Sequence, residues 1–137
     1  MNRNYFYFLV GLGLIIVDQV SKVIASRSTI IFRNYNFAFS LSLPVSVMYL
    51  FYAVVLVAIV IYMWYRHRSF SSREWVAWVL ILAGSASNIG ERLIAGYVKD
   101  FIYLFSGVFN IADFYILIGI VMLLLVSGPR EHGPDLR

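Results

Sequence analysis

Residues 45–65 read VSVMYLFYAVVLVAIVIYMWY, a stretch without a single charged side chain. About 20 apolar residues wound as an α-helix match the thickness of a bilayer's hydrocarbon core, so this stretch predicts a membrane-crossing helix. Pro44 stands just before it, where a first-turn proline suits a helix start.

Working outward from this span, three more stretches have the length and character to accompany it. Residues 5–25 are apolar except for Asp18, Gln19, Ser21 and Lys22 near their end. Residues 75–94 begin as WVAWVLIL and then turn small and polar through Gly84, Ser85, Ser87, Asn88, Gly90, Glu91 and Arg92. Residues 108–126 reverse that order, with Asn110 and Asp113 first and an apolar run after them. The chain of 137 residues is 61% apolar and 13% charged, against about 45–50% and about 25% for a soluble domain. Four spans leave too few residues for a separate soluble domain. The expected fold is an all-α membrane protein, one domain over residues 1–137 built as an up-and-down four-transmembrane-helix bundle with short connections.

Arg66, Arg68 and Arg73 crowd the connection between the second and third spans. The positive-inside rule places that loop in the cytoplasm, together with both termini. A cleaved signal peptide is the alternative for the first span, since Val23-Ile24-Ala25 precedes Ser26 and Arg3 supplies a basic start; Asp18 and Lys22 argue against it. Residues 28–41 are rich in β-branched and aromatic side chains with partial alternation, which suggests a short strand pair lying on the outer membrane surface.

Composition removes several kinds of chemistry. There is no cysteine, and the two histidines, His67 and His132, fall in a basic connection and a polar tail. Thiolate chemistry, a Ser/His/Asp triad and a His-rich metal site therefore have no materials inside the apolar region. A net charge of +4, scattered along the chain, makes no nucleic-acid footprint.

What remains is a set of polar residues gathered at one depth. Under the topology above, Asp18, Lys22, Asn88, Glu91, Arg92, Asp100, Asn110 and Asp113 all lie at the outer ends of spans one, three and four. An ionisable side chain inside a span costs about 2.5–3.5 kcal/mol on insertion scales, so such residues have partners or functions. Asp18 and Lys22 are four apart on one helix face, fitting either an intrahelical ion pair or support for a site. Glu91 is the natural partner for its neighbour Arg92, and the small residues around them suit close helix packing. Asp100 and Asp113 flank a re-entering hairpin that can bring both carboxyls to the same depth. Two such groups in low dielectric share one proton, which makes an acid and a base from one residue type and lets a held water attack an amide. Intramembrane carboxylates also serve proton relays and ion paths, and oxygen ligands from Asp100, Asp113 and Asn110 would suit Mg²⁺; an aspartic dyad needs no metal or other cofactor.

Five blocks carry a resemblance: Asp18-Gln19-x-x-Lys22, Asn34-x-x-x-Ala38-Phe39-Ser40, Gly84-x-x-x-Asn88-x-x-x-Arg92, Gly96-Tyr97-Val98-x-Asp100-Phe101 and Phe109-Asn110-Ile111-Ala112-Asp113. Together and in this order they resemble the lipoprotein signal peptidase family, signal peptidase II. The resemblance implies a monomeric aspartic endopeptidase of the bacterial inner membrane, active near the outer face, that removes signal peptides from diacylglyceryl-modified prolipoproteins just before the lipidated cysteine. Carried over by motif, Asp100 and Asp113 are the catalytic pair. Asn34, Asn88, Arg92 and Asn110 position the substrate or the dyad, while Asp18 and Lys22 brace the site. The family's small extracytoplasmic β-cradle and helix would have to come from residues 26–44. Two residues depart from the family pattern: Glu91 stands where Asp is usual, and Asn36 where Gly is usual. Membrane lipid would hold the substrate's acyl tail, and Phe37, Phe39, Phe101, Tyr103, Phe105 and Phe109 would line the entrance.

Overall fold

The computed structural model describes residues 2–28, 30–35, 43–105 and 107–126. Asn36, Phe37, Ala38, Phe39, Ser40 and His132 lie outside the described residues. Four α-helices account for most of the described chain: α1 (Arg3–Ser28), α2 (Val45–Arg66), α3 (Ser72–Ala95) and α4 (Ile111–Val126). Both α1 and α2 are long and apolar enough to cross a membrane, and α4 is a shorter apolar helix. Span four thus begins at Ile111 rather than at residue 108, because residues 107–109 pair as a strand before the helix starts.

The helices alternate in direction. Near their starts, Tyr7 of α1 stacks on Trp75 of α3 at 5.6 Å. Near their ends, Lys22 of α1 bonds Asn88 of α3, so these two helices run parallel. Helices α2 and α4 run against α3: Tyr62 meets Trp78 at one end of the bundle, while Tyr52 meets Arg92 and Asn88 meets Asp113 at the other.

Sequence sets the ends of α3. Ser71 and Glu74 form a reciprocal capping box, the Ser71 hydroxyl accepting from the Glu74 amide and the Glu74 carboxylate from the Ser71 amide. Gly96 ends the helix at φ +81°, a left-handed turn that glycine makes without a Cβ penalty. Two glycines bring α3 and α4 together. A Cβ on Gly84 would stand 2.5 Å from the Ala112 carbonyl oxygen, and one on Gly119 would stand 2.7 Å from that of Ala77. Small residues at such crossings let backbones touch, which replaces the hydrophobic drive that lipid removes.

Four short strands cover the polar end of the bundle. They are β1 (Phe32–Asn34), β2 (Val98–Asp100), β3 (Ile102–Leu104) and β4 (Gly107–Phe109). Of the strand pair expected within residues 28–41, the described residues hold one strand, β1. β1 instead pairs antiparallel with β2 from the α3–α4 connection, in the register Phe32↔Asp100, Arg33↔Lys99, Asn34↔Val98. The other two strands make a hairpin. Three of the four strands among the described residues therefore come from residues 95–110, which the sequence reading assigns to a re-entering hairpin and the start of span four.

Candidate active site

The site is built where α1, α3, α4 and the β1–β2 pair converge. Asn110 caps α4 in another reciprocal box: its side-chain oxygen accepts from the Asp113 amide at 3.1 Å, and the Asp113 carboxylate accepts from the Asn110 amide at 3.0 Å. The same side chain donates its Nδ2 to Asp100 Oδ1 at 2.6 Å. One asparagine thus holds both carboxyls, because its oxygen is committed to the helix and its amino group must face Asp100.

Each carboxyl oxygen of the pair receives a donor. Asn34 gives its Nδ2 to Asp100 Oδ2 at 2.9 Å. The β register explains this reach, since Asn34 lies diagonally across the pair from Asp100 on the same strand face. Asn88 gives its Nδ2 to Asp113 Oδ1 at 2.9 Å. Burial pushes the Asp100 carboxyl above its ordinary value, against the lowering pull of the Asn110 and Asn34 bonds, and the negative charge of Asp113 pushes the same way as burial.

Behind Asn88 lies a fully buried ionic chain. The Lys22 ammonium reaches Asp18 Oδ2 at 2.8 Å, Glu91 Oε2 at 3.0 Å and Asn88 Oδ1 at 2.8 Å. An ammonium has three N–H donors, and all three are used. Lys22 therefore fixes which way the Asn88 amide faces, leaving Nδ2 for Asp113. Asp18 is both an ion-pair partner and a cap: its Oδ1 accepts from the Ala112 amide at 2.9 Å, and its Oδ2 accepts from the Ser87 hydroxyl at 2.6 Å. A carboxylate at a helix N-terminus satisfies a free amide and complements the helix dipole.

Two expectations need correction. Glu91 does not partner Arg92; it pairs with Lys22 and Lys99. Successive helical residues diverge by about a quarter turn or more, so neighbours in sequence face different elements. Arg92 reaches across to α2, where it donates to the Tyr52 hydroxyl at 2.6 Å, and to β1, where it donates to the Asn34 carbonyl at 3.4 Å. Nor are Phe101, Tyr103, Phe105 and Phe109 among the residues that wall the cavity beside the carboxyls. The cavity of about 280 Å³ beside the carboxyls is walled by Phe51, Tyr52, Val55, Leu56 and Ile59 of α2 facing Leu82, Ile89 and Ile116. Asp100, Asp113, Asn34, Asn88, Asn110 and Arg92 form its polar end.

Sequence reasoning missed Tyr52, Ser87, Gln19 and Lys99 as supporting residues. Ser87 takes a bond from Gln19 at 2.9 Å while giving its own to Asp18. A signal was present for both, since Gln19 adjoins Asp18 in a quoted motif and Ser87 adjoins Asn88. No signal marked Tyr52, which looks like any other aromatic of an apolar span.

Fold and site together define a helical membrane protein with a buried carboxyl pair at one end of its bundle. Its relatives make the class specific: residues 10–127 match the family model for signal peptidase (SPase) II, and the chain belongs to that family. It is 42% identical over 65 residues to the lipoprotein signal peptidase of Pseudoalteromonas translucida, covering 41% of this chain and 39% of that protein. Identity is 41% over 69 residues to the enzyme of the same name from Thermodesulfovibrio yellowstonii, covering 47% and 44%. It is 28% over 76 residues to that of Streptococcus thermophilus, covering 52% and 50%. The chain spans about half the length of these curated relatives or less. A bacterial membrane enzyme solved by the in meso method at 2.3 Å shares the fold, with a TM-score of 0.75, 21% identity and 93% of each chain covered.

Proposed function

We propose that this protein is a membrane aspartic endopeptidase that cleaves the signal peptide of diacylglyceryl-modified prolipoproteins before the lipidated cysteine. The observation that carries the reading is Asn110 holding Asp100 and Asp113 in the wall of a cavity otherwise lined mostly by apolar side chains. In this scheme the two carboxyls hold one proton between them. The ionised group takes a proton from a water as its oxygen adds to the scissile carbonyl, and the protonated group donates to the carbonyl oxygen. The tetrahedral intermediate then collapses as a proton passes to the departing amide nitrogen.

The remaining residues fit supporting parts. Asn34, Asn88 and Asn110 orient the carboxyls, Lys22 and Asp18 brace Asn88 and the start of α4, and Arg92 ties α2 and β1 to the rim. An acyl chain remaining in the bilayer keeps the substrate concentrated at the site without protein contacts. All four helices span the inner membrane in this reading, with both termini cytoplasmic, the site near the outer face and the protein acting as a monomer. The apolar lining residues Val55, Leu56, Ile59 and Leu82 do not favour an ion path.

The test is cleavage of a fluorescent diacylated lipopeptide by purified protein in detergent. Asp100→Asn and Asp113→Asn are each expected to abolish turnover while retaining helix content, and EDTA is expected to leave wild-type activity unchanged. Near-normal turnover in either variant defeats the assignment, and strong inhibition by EDTA favours the Mg²⁺ alternative.

A further inference from the structure

Lys99 precedes Asp100 on β2 and touches the buried network twice. Its ammonium lies 3.0 Å from Glu91 Oε1, and its backbone amide donates to Glu91 Oε2 at 3.3 Å. The same Oε2 meets Lys22, and Lys22 holds Asn88, which holds Asp113. Glu91 is thus a two-pronged bridge from the strand that carries one carboxyl to the lysine that orients the partner of the other. Lys99 is more than a quarter exposed at its side chain, whereas Glu91 is 4% exposed and Lys22 fully buried.

Charge balance gives this bridge a consequence. Among the described residues bonded into this network, Lys22, Lys99 and Arg92 carry positive charge. Asp18 and Glu91 bring two negative charges, and a carboxyl pair holding a single proton brings the third. Other titratable groups at the polar end of the bundle, among the described residues, include the phenols Tyr49 and Tyr52 of α2 and Tyr115 of α4, Tyr35, Tyr97 and Tyr103 at the strands, and Arg33 of β1. Arg33 sits beside Lys99 in the strand register but stacks over the Tyr97 ring at 5.1 Å. Lys99 is therefore the cation that balances Glu91 once Lys22 is shared with Asp18.

We infer that Lys99, acting through Glu91, is a positioning residue that sets the protonation range in which the Asp100/Asp113 pair works. This rests on the peptidase reading above. Without its ammonium, Glu91 leans on Lys22 alone and the site gains a net negative charge, so protons leave the pair less readily.

The pH dependence of kcat/KM for lipopeptide cleavage by the full chain tests the inference. Lys99→Met keeps the aliphatic stem and removes the charge; its profile is expected to move to higher pH by roughly 0.5–1 unit, the order expected when a unit charge is lost from a partly buried ionic network. Lys99→Arg should return it to the wild-type position. If Lys99→Met cannot be recovered folded, Lys99→Gln carries the same expectation. Infrared titration of the carboxyl C=O band in the same proteins reads the shift without turnover. A Lys99→Met profile that superimposes on wild type, or one lowered in height but unmoved in pH, overturns the inference. Absence of cleavage by the wild-type protein would defeat the peptidase reading instead, and the infrared shift would then decide the role of Lys99 alone.

Discussion

Lys22 shows how much one side chain can organise. It is completely buried, and each of its three donors has a separate acceptor on α1 or α3. Removing one partner of a buried ionic group leaves the others uncompensated, at a cost of about 3–5 kcal/mol. Lys22→Met strands Asp18 beside the start of α4 and frees the Asn88 amide to rotate away from Asp113. Its expected outcome is loss of that much unfolding free energy in detergent, together with loss of cleavage; an unchanged unfolding midpoint would contradict the network. A second expectation concerns Asp100, whose carboxyl burial holds above the ordinary range with help from the Asp113 charge. Because the folded group binds its proton more tightly than the unfolded one, its contribution to stability is full in acid and is lost as pH rises through the folded value. Replacing Asp113 by Asn removes the neighbouring negative charge, so the Asp100 C=O band should titrate at lower pH than in wild type. An unmoved band would show the two groups to be electrostatically independent.

Helices and strands turn such contacts into a fixed arrangement. The contact of α3 with α4 depends on Gly84, where a Cβ would press into the Ala112 carbonyl, one turn of α3 before Asn88. Gly84→Val should push the helices apart, cost about 1–3 kcal/mol as an overpacked site does, and stretch the Asn88–Asp113 bond. Gly90, on the same helix, has open space around its would-be Cβ. Gly90→Ala should therefore gain about 0.5–1 kcal/mol from helix propensity and keep activity. Comparing thermal midpoints and turnover of the two variants checks both; equal effects would show that the glycines act through backbone freedom alone. The helices themselves were legible in the sequence, because apolar run length and end caps are local. The β1–β2 pairing was not, because Phe32 and Asp100 meet only after α2 and α3 have folded the chain back on itself.

Across the whole molecule the two ends of the bundle differ in kind. One end is a cluster of aromatic rings, Tyr7, Tyr62, Phe70, Trp75 and Trp78, packed beside the arginine-rich α2–α3 connection. The other is the ionic site under its short strands. Between them α2 stands nearly bare, with Met48 its one buried residue, tied to Arg92 by Tyr52 near one end and to the aromatic cluster by Tyr62 near the other. The cavity opens along the stretch between these ties. The sidedness can be tested directly because the chain has no cysteine of its own. A membrane-impermeant maleimide added to spheroplasts should label Phe105→Cys and spare Ser69→Cys, and inside-out vesicles should reverse the pattern. Labelling of both positions from one side would end the four-span topology.

The sequence by itself determined that this is a bilayer-sized helical chain with its ionisable groups collected at one end, since hydropathy and the spacing of Asp18, Lys22, Asn88 and Asp113 are properties of the chain read in order. It also singled out Asp100 and Asp113, because carboxyls in an apolar setting are too costly to be incidental. Only the tertiary structure decided who partners whom. Glu91 bonds Lys22 and Lys99 rather than its neighbour Arg92, Asn34 reaches Asp100 across a strand pair, and Tyr52 leaves an apolar face to meet a guanidinium. Those choices turn on direction, on which side of a helix or strand each group leaves, and on which other element the fold has placed there.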